Sequence, residues 1–229
     1  MRDTKRKWRQ LAERPAGDVC REAAGVLSRG GLVVFPTETF YGIAALPSHA
    51  EALARLVALK ERDGKKPIPL VAASRADVEG LGEIPAALLP LVEKFWPGPL
   101  TIAVVPRALW PAVLFAGGRD LGVRVSGHAW ARELAGGAGG LITSTSANLA
   151  GRPAVTMPAA LDRELVAAVD LVVDAGECRG GSPSTIVGLG ADGKVELRRE
   201  GAISLAQLAA VLGEAPLVSR VARGHRGRP

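Results

Sequence analysis

Short apolar runs that alternate with amphipathic helical segments constrain the fold of this chain more than any other feature of its sequence. In the first example, apolar residues recur at helical spacing from Asp18 to Arg29, two glycines end the helix, and a continuous apolar run from Leu32 to Phe35 follows. The other strand-like runs cover residues 68–72, 100–105, 121–125, 141–143, 171–173, 185–187 and 194–198, and the other helical segments cover residues 51–59, 86–95, 129–134, 159–169 and 205–212. This alternation predicts an α/β fold.

The later strands follow one another too closely for every connection to be a helical crossover, which needs about a dozen residues or more. We therefore predict a twisted mixed sheet, with parallel and antiparallel strands, flanked by helices. The chain has 229 residues, of which 48% are hydrophobic, and it can bury a full core as one domain. We expect residues 15–215 to form this domain and residues 1–14 and 216–229 to be disordered basic tails.

The formal net charge of +6 is concentrated at the two ends. Residues 1–14 hold six Lys or Arg and two acids, and residues 219–229 hold four Arg and no acid, so the segment between them is slightly acidic. The charge therefore predicts weak, non-specific attraction of RNA to the tails, and not a nucleic-acid-binding surface on the domain.

Cysteine and histidine residues show no metal-binding or disulfide pattern. Cys20 and Cys178 lie far apart without a CxxC partner, and His49, His128 and His225 are isolated from one another. No apolar run approaches the roughly 18 residues of a membrane span, and the basic N-terminus lacks the apolar core of a signal peptide. We expect a cytoplasmic protein with no membrane association and no metal site of its own.

Three polar turns each follow an apolar strand, at residues 36–42, 143–148 and 180–185. Ligands of open α/β sheets bind beyond the carboxyl ends of strands, where backbone N–H groups and short hydroxyl side chains face a crevice. We therefore expect the three turns to share one pocket. For the Ser/Thr-rich turn at 143–148, the alternative is a helix N-cap followed by a turn.

A basic cluster precedes the rigid Pro67–Leu70 segment and consists of Lys60, Arg62, Lys65 and Lys66. Several cations held close together suit a polyphosphate or another compact anion. The alternative is a solubilising loop in which Glu61 and Asp63 balance the charge. The helix before the cluster is predicted to begin at a capping box formed by Ser48 and Glu51.

Other types of catalytic or nucleotide-binding motif are missing. The Gly-rich segment 136–140 precedes a strand and is best interpreted as a flexible connection, and there is no phosphate-binding GxxxxGK[ST] motif. The sequence suggests neither a Ser-His-Asp or Cys-His constellation nor a pair of closely spaced acids. Cations, hydroxyls and an amide remain, and this set favours phosphoryl or nucleotidyl transfer.

Seven motifs occur in the order seen in YrdC-type proteins, and on them the chain closely resembles the TsaC family of L-threonylcarbamoyladenylate synthases over roughly residues 18–213. The motifs are PTETFYG at 36–42, Lys60-x-Arg62 with Lys66-Pro67, WPGPLT at 96–101, VRV at 123–125, SAN at 146–148 with GRP at 151–153, STIV at 184–187, and Arg199-x-Gly201. The resemblance implies a fold like that of dihydroxybutanone phosphate synthase, with a large, central, positively lined cavity.

The resemblance also implies the reaction. L-threonine, bicarbonate or CO2, and ATP give threonylcarbamoyl-AMP and pyrophosphate, and the product serves the modification of tRNA through downstream threonylcarbamoyl-transfer proteins. ATP is then a substrate, and Mg2+ is expected to be held mainly by the nucleotide. Direct tRNA binding would involve the basic cavity or the tails.

By similarity, site residues divide between the two substrates. The catalytic residues are Lys60 and Arg62, and Arg124 is suited to bidentate capture of the threonine carboxylate. The expected threonine site consists of Thr39, Arg124 and Ser146. The expected ATP site consists of Lys60, Arg62, Lys66, Asn148, Thr156 and Arg199, with Ser144 and Ser184 on the adjoining loops.

Three positions depart from the family pattern: Glu200 replaces a frequent proline, Ala150 a frequent serine, and Val71 a histidine that contacts threonine in some relatives. The alternatives are therefore a diverged paralogue or a non-catalytic YrdC-fold RNA-binding module.

The chain has nine Phe, Trp and Tyr residues, too few interleaved aromatics for an RNA-stacking platform. A carbamoyl-AMP-forming domain of the hydrogenase-maturation type would normally accompany zinc-finger-like and acylphosphatase segments, which this sequence lacks.

Overall fold

The computed structural model describes residues 7–60, 66–115 and 117–219. Helices and strands alternate along most of this length. In chain order they are β1 (Trp8–Gln10), α1 (Ala16–Ser28), β2 (Val33–Phe35), β3 (Gly42–Ala44), α2 (Ala50–Leu59), β4 (Leu70–Ala72), α3 (Arg75–Leu81), α4 (Leu89–Phe95), β5 (Leu100–Val104), β6 (Leu121–Val125), α5 (Ala129–Gly137), β7 (Leu141–Thr143), β8 (Thr145–Ser146), α6 (Arg163–Ala168), β9 (Leu171–Asp174), β10 (Thr185–Leu189), β11 (Val195–Arg199), α7 (Leu205–Leu212) and β12 (Leu217–Ser219).

The strands form two mixed sheets. The smaller sheet has the order β1-β9-β2-β3-β8, and the larger has the order β12-β11-β10-β5-β6-β4-β7. Strand β4 pairs in parallel with β6 and antiparallel with β7, while β5 is antiparallel to β6 and parallel to β10. The predicted mixed α/β class is thus confirmed, but the strands divide between two sheets and do not form one.

The continuous apolar runs become strands that are buried on both faces. In β2, Val33, Val34 and Phe35 are all fully buried. Val34 belongs to a core cluster that also contains residues of β5 and β6, whereas Val33 and Phe35 pack in a second cluster with residues of α1 and α5. Because successive side chains leave opposite faces of a strand, a strand between two cores needs apolar residues at every position.

Helix α1 ends where the sequence places its two glycines. The backbone N–H of Gly30 donates to the carbonyl oxygen of Leu27 at 2.9 Å, and that of Gly31 donates to Val26 at 2.9 Å. Gly30 has a φ of +77°, and a Cβ atom added there would lie 2.4 Å from the His49 ring. Both the backbone conformation and the space therefore require glycine at this turn.

The predicted boundaries of the domain are too narrow. Strand β1 pairs in parallel with β9, although it lies in the segment predicted as a disordered tail. Its Arg9 donates from Nε to the Glu22 carboxylate of α1 at 2.9 Å, and Lys7 Nζ donates to the Ala167 carbonyl at the end of α6 at 2.9 Å. At the other end of the chain, β12 pairs in parallel with β11. Residues 7–14 and 216–219 thus belong to the fold, while residues 1–6 and 220–229 lie outside the described parts.

Several local predictions also need correction. Helix α2 begins one residue later than the predicted capping box allows, and its N-cap residue His49 makes no side-chain capping hydrogen bond. The Gly-rich segment 136–140 completes α5 and then makes a hydrogen-bonded turn, in which the Gly140 N–H donates to the Ala135 carbonyl at 2.7 Å. Within the three described ranges, no helix has the length and apolar character needed to cross a membrane.

Candidate functional site

A cavity of about 670 Å³ is lined by residues of both sheets. The smaller sheet contributes residues of β3 and β8, and the larger sheet contributes residues of β5, β6, β10 and β11. All three polar turns that the sequence analysis assigned to a shared pocket reach this cavity. Seven of the predicted site residues line it: Thr39, Lys66, Arg124, Ser144, Ser146, Ser184 and Arg199.

Arg124 is the most deeply buried cation of the cavity lining, with 5% of its surface exposed. It lies in β6 between Val123 and Val125, whose buried side chains leave the opposite face of the strand. Its Nε donates to Glu38 Oε1 at 3.1 Å, and its Nη2 donates to Ser144 Oγ at 3.4 Å. A guanidinium has five N–H donors, so three of them have no acceptor among the residues that the structure describes. These donors suit a planar anion such as a carboxylate.

Glu38 is a buried partner of this arginine that the sequence analysis did not select. Its side chain is 14% exposed, and its second oxygen accepts a hydrogen bond from the Ser126 hydroxyl. Burial raises the pKa of Glu38, but the Arg124 charge and the hydrogen bonds to the carboxylate outweigh burial, so its pKa lies below the ordinary value. One sequence signal pointed to this residue: Glu38 is the only acid within the three polar turns.

Arg199 approaches the same cavity from the end of β11. Its Nε and Nη2 donate to the Ser184 carbonyl at 3.1 and 2.7 Å, and Ser184 Oγ lies 2.9 Å from Thr101 Oγ1. Partial burial of the guanidinium, followed by the positive charge of Arg124, lowers the pKa of Arg199. The two arginines therefore repel each other, and an anion bound between them would relieve that repulsion.

Lys60 and Asn148 lie together, although they are distant in sequence. Lys60 is 7% exposed, and its Nζ donates to the Ser146 carbonyl at 2.9 Å, to Asn148 Oδ1 at 2.8 Å and to the Asn148 carbonyl. An ammonium group has three donors, so these three acceptors occupy all of them. Lys60 thus fixes the Ser146–Asn148 turn beside the cavity, and neither Lys60 nor Asn148 is one of the residues that line it.

Thr156 likewise lies behind the cavity lining. Its carbonyl accepts a hydrogen bond from the Cys178 N–H at 2.8 Å, and its methyl group packs against Gly180, where an added Cβ atom would lie 2.8 Å from it. The Gly180 N–H in turn donates to the Thr39 carbonyl at 2.8 Å. Thr156 therefore supports the loop that holds Thr39. Arg62, the other predicted catalytic residue, lies outside the described residues.

The three departures from the family pattern do not lie in the cavity lining. Val71 is fully buried in β4, and Glu200 accepts a hydrogen bond from the Leu205 N–H at the start of α7, at 2.8 Å. Ala150 is exposed on the turn after Asn148. Within residues 7–60, 66–115 and 117–219, no group of three or more His, Cys, Asp or Glu side chains is arranged to hold a metal ion.

Comparisons with known proteins agree with the sequence motifs. The Sua5/YciO/YrdC family model, which carries the description "Telomere recombination", matches residues 25–201. The threonylcarbamoyl-AMP synthase of Pyrococcus abyssi is 33% identical over 195 residues, which are 85% of this chain and 57% of the relative. The threonylcarbamoyl-AMP synthase of Halorhodospira halophila is 38% identical over 155 residues, 67% of this chain and 81% of the relative. The chain therefore spans little more than half the length of the Pyrococcus relative.

Solved structures show the same fold. The crystal structure of Pyrococcus abyssi Sua5 complexed with L-threonine matches with a TM-score of 0.80 at 32% identity, over 92% of this chain and 61% of that one. Escherichia coli YciO matches with a TM-score of 0.74 at 22% identity, over 82% and 92% of the two chains, and this likeness concerns the fold alone. The matched residues cover most of the chain, and the predicted resemblance is confirmed: the chain belongs to the Sua5/YciO/YrdC family.

Proposed function

We propose that the protein forms threonylcarbamoyl-AMP and pyrophosphate from L-threonine, bicarbonate or CO2, and ATP. The observation that carries this proposal is the meeting of Arg124 and Arg199 with the hydroxyl groups of Ser144, Ser146 and Ser184 at one cavity lined by both sheets. Such a site offers cations and neutral hydrogen-bond donors where negative charge accumulates. The names of the relatives in Pyrococcus and Halorhodospira point to the same activity.

Threonine is assigned to the part of the cavity around Arg124. The guanidinium takes the carboxylate through its unpaired N–H donors, and the hydroxyl groups of Thr39 and Ser146 contact the rest of the amino acid. The L-threonine complex of Pyrococcus abyssi Sua5 supports an amino-acid site in this fold. Threonine held there by its carboxylate keeps its amine available for reaction with CO2.

ATP is assigned to the part of the cavity around Arg199 and Lys66. Arg199 and Lys66 contact the phosphates together with the Ser144 and Ser184 hydroxyls, and Arg62 adds a further cation from the basic cluster. The cavity lining does not include Lys60, Asn148 or Thr156, and these residues act by supporting residues that do line it. The hydrogen bonds of Lys60 fix the turn that carries Ser146 and Asn148, and Thr156 supports the loop that carries Thr39.

The reaction then needs positioning more than proton transfer by the protein. The threonine amine attacks CO2 and loses one proton to the solvent, which gives a carbamate. A carbamate oxygen attacks the α-phosphorus of ATP, the bond from that phosphorus to the bridging oxygen breaks, and pyrophosphate leaves with the bonding electrons. The facing arginines stabilise the charge that develops on the phosphate oxygens.

Mg2+ fits this site as a companion of the nucleotide. The described residues offer phosphate-binding cations and hydroxyls but no cluster of acidic ligands, so we assign the metal to the ATP phosphates. When bound there, it would offset part of the phosphate charge. The product is a reactive mixed anhydride, and we assign its use to tRNA modification in the cytoplasm by downstream threonylcarbamoyl-transfer proteins.

The deciding experiment measures pyrophosphate release from ATP by the purified full chain. We expect release that requires both L-threonine and bicarbonate, with a product that has the mass of threonylcarbamoyl-AMP. L-serine and L-valine serve as matched amino acids, because each lacks one of the two groups on the threonine β-carbon. Pyrophosphate release that is the same with and without threonine would contradict the proposal, and tight RNA binding without any release would favour a non-catalytic RNA-binding module.

A further inference from the structure

We propose that Glu38 is a positioning residue that holds the Arg124 guanidinium in the orientation needed to receive the threonine carboxylate. The inference rests on the proposed function. It concerns a side chain that lies within the motif at residues 36–42 but was assigned to neither substrate. Glu38 acts through Arg124, and the carboxylate of Glu38 does not itself contact the substrate.

Only two of the five N–H donors of Arg124 have acceptors among the described residues. Glu38 takes the Nε–H at 3.1 Å, and Ser144 Oγ takes one N–H of Nη2 at 3.4 Å. Both protons of Nη1 and one of Nη2 remain, and a carboxylate can accept from the two terminal nitrogens at once. Glu38 therefore occupies the one guanidinium nitrogen that a carboxylate bound to Nη1 and Nη2 does not use.

Glu38 is itself held in place by Ser126, which precedes α5. Its other oxygen accepts from the Ser126 hydroxyl, and Ser126 Oγ also accepts from the His128 N–H at 3.2 Å. Arg132 of α5 donates from Nη1 to the Ser126 carbonyl at 2.6 Å. The orientation of Glu38 is thus fixed by the residues that lead into α5, and α5 packs in the core with α1.

Electrostatic interactions also act on the orientation of Arg124. Arg124 and Arg199 act on each other as like charges, and Glu38 is the acid that forms an ion pair with Arg124. Without the Glu38 oxygen, the Arg124 Nε–H would lose its acceptor, and repulsion by Arg199 would turn the guanidinium toward another acceptor. The ionised state of Glu38 follows from its lowered pKa.

A competing explanation predicts the opposite effect. If Glu38 only competed with the substrate for Arg124, removing it would strengthen threonine binding. If it positions Arg124, removing it weakens threonine binding even though the cavity becomes more positive. The two explanations therefore differ in the sign of one measured change.

The test compares Glu38→Ala with Glu38→Gln. Glutamine keeps an oxygen that accepts from Arg124 Nε but carries no charge, whereas alanine removes both the acceptor and the charge. We expect Glu38→Ala to raise the KM for threonine by at least about tenfold while the KM for ATP changes by less than about threefold. Glu38→Gln should restore the threonine KM to within about threefold of the wild-type value.

Two further variants complete the design. Ser126→Ala removes the support of Glu38 without changing Arg124, and it should raise the threonine KM by about three- to tenfold, which keeps the inference testable if Glu38→Ala does not fold. Glu79→Ala removes a carboxylate of the exposed Arg75–Glu79 pair on α3, neither residue of which lines the cavity, and it should leave both KM values unchanged. Calorimetric titration with threonine provides the same comparison at equilibrium.

The outcomes separate this inference from the proposed function. If wild-type protein shows no threonine-dependent pyrophosphate release and no threonine binding, the proposed function fails. If the wild type is active but Glu38→Ala has an unchanged or lower threonine KM, the positioning role is wrong. Equal losses in the Ala and Gln variants would also overturn it, because the charge and not the acceptor geometry would then be the essential property.

Discussion

The cations near the cavity differ in whether their N–H donors have protein acceptors. Arg124 keeps N–H donors without a protein acceptor among the described residues, whereas all three donors of Lys60 are occupied by oxygens of Ser146 and Asn148. The basic cluster in the sequence gives no sign of this difference. It depends on contacts between residues that are 86 and 88 positions apart.

Substitution of Lys60 by methionine should therefore affect folding as well as catalysis. Two backbone carbonyls and one amide oxygen would lose a charged donor in a buried place, and we expect the free energy of unfolding to fall by about 2–4 kcal/mol. The KM for threonine should rise more than the KM for ATP, because the Ser146–Asn148 turn carries Ser146, which is assigned to the threonine part of the cavity. Denaturant unfolding and steady-state kinetics on the same preparation measure the two effects.

Lys66→Met is the matched control for this substitution, because Lys66 lines the cavity. Its expected effect is a higher KM for ATP with a much smaller change in stability. A Lys60→Met protein that unfolds like the wild type but no longer binds ATP would show that Lys60 contacts the phosphates directly.

At the scale of secondary-structure elements, the edge strand β1 shows how a charged segment becomes part of the fold. Strand β1 covers the edge of β9, and its Arg9 is joined to Glu22 of α1. The pKa of Glu22 is lowered, first by its hydrogen bond with Arg9. A three-residue strand with two polar residues has little pattern of its own, so its pairing follows from contacts with β9 and α1 that only the folded chain supplies.

Arg9→Ala should lower the free energy of unfolding by about 1–2 kcal/mol, because it removes charge-assisted hydrogen bonds between β1 and α1 that are partly exposed. Arg21→Ala is the matched control. Arg21 pairs with Asp18 within α1, and its side chain is 78% exposed, so its loss should cost less than about 0.5 kcal/mol. Urea denaturation measures both, and equal values for the two variants would show that β1 is not held by this contact.

For the whole molecule, sequence patterns predicted the strands that lie between two cores and missed most of those that lie at edges or in turns. The apolar runs at residues 68–72 and 171–173 fall on β4 and β9, whose side chains alternate between the two core clusters. Strands β3 and β8 fall within or beside polar turns, and they form because β3 pairs antiparallel with both β2 and β8. The division into two sheets follows from such pairings, which no local pattern contains.

The residues of the candidate site were likewise predicted only in part. Motif order placed Thr39, Arg124 and Ser184 among the site residues, and all three line one cavity. The sequence did not predict that Lys60 and Thr156 lie behind this lining, or that Glu38 pairs with Arg124. Those facts depend on side-chain distances across the two sheets, whereas the motifs record only residue type and spacing.

Because both sheets line the cavity, a ligand that fills it should stabilise the whole fold. ATP with Mg2+ at a hundred times its Kd should raise the free energy of unfolding of the wild-type protein by about 2.7 kcal/mol, in a single cooperative transition. Arg199→Ala should lose most of this gain at the same ATP concentration, while Arg163→Ala, at the start of the exposed face of α6, should retain it. Thermal unfolding monitored by tryptophan fluorescence gives the comparison. An ATP-dependent shift of equal size in both variants would mean that the nucleotide binds away from Arg199, and the assignment of the phosphates to this end of the cavity would then be wrong.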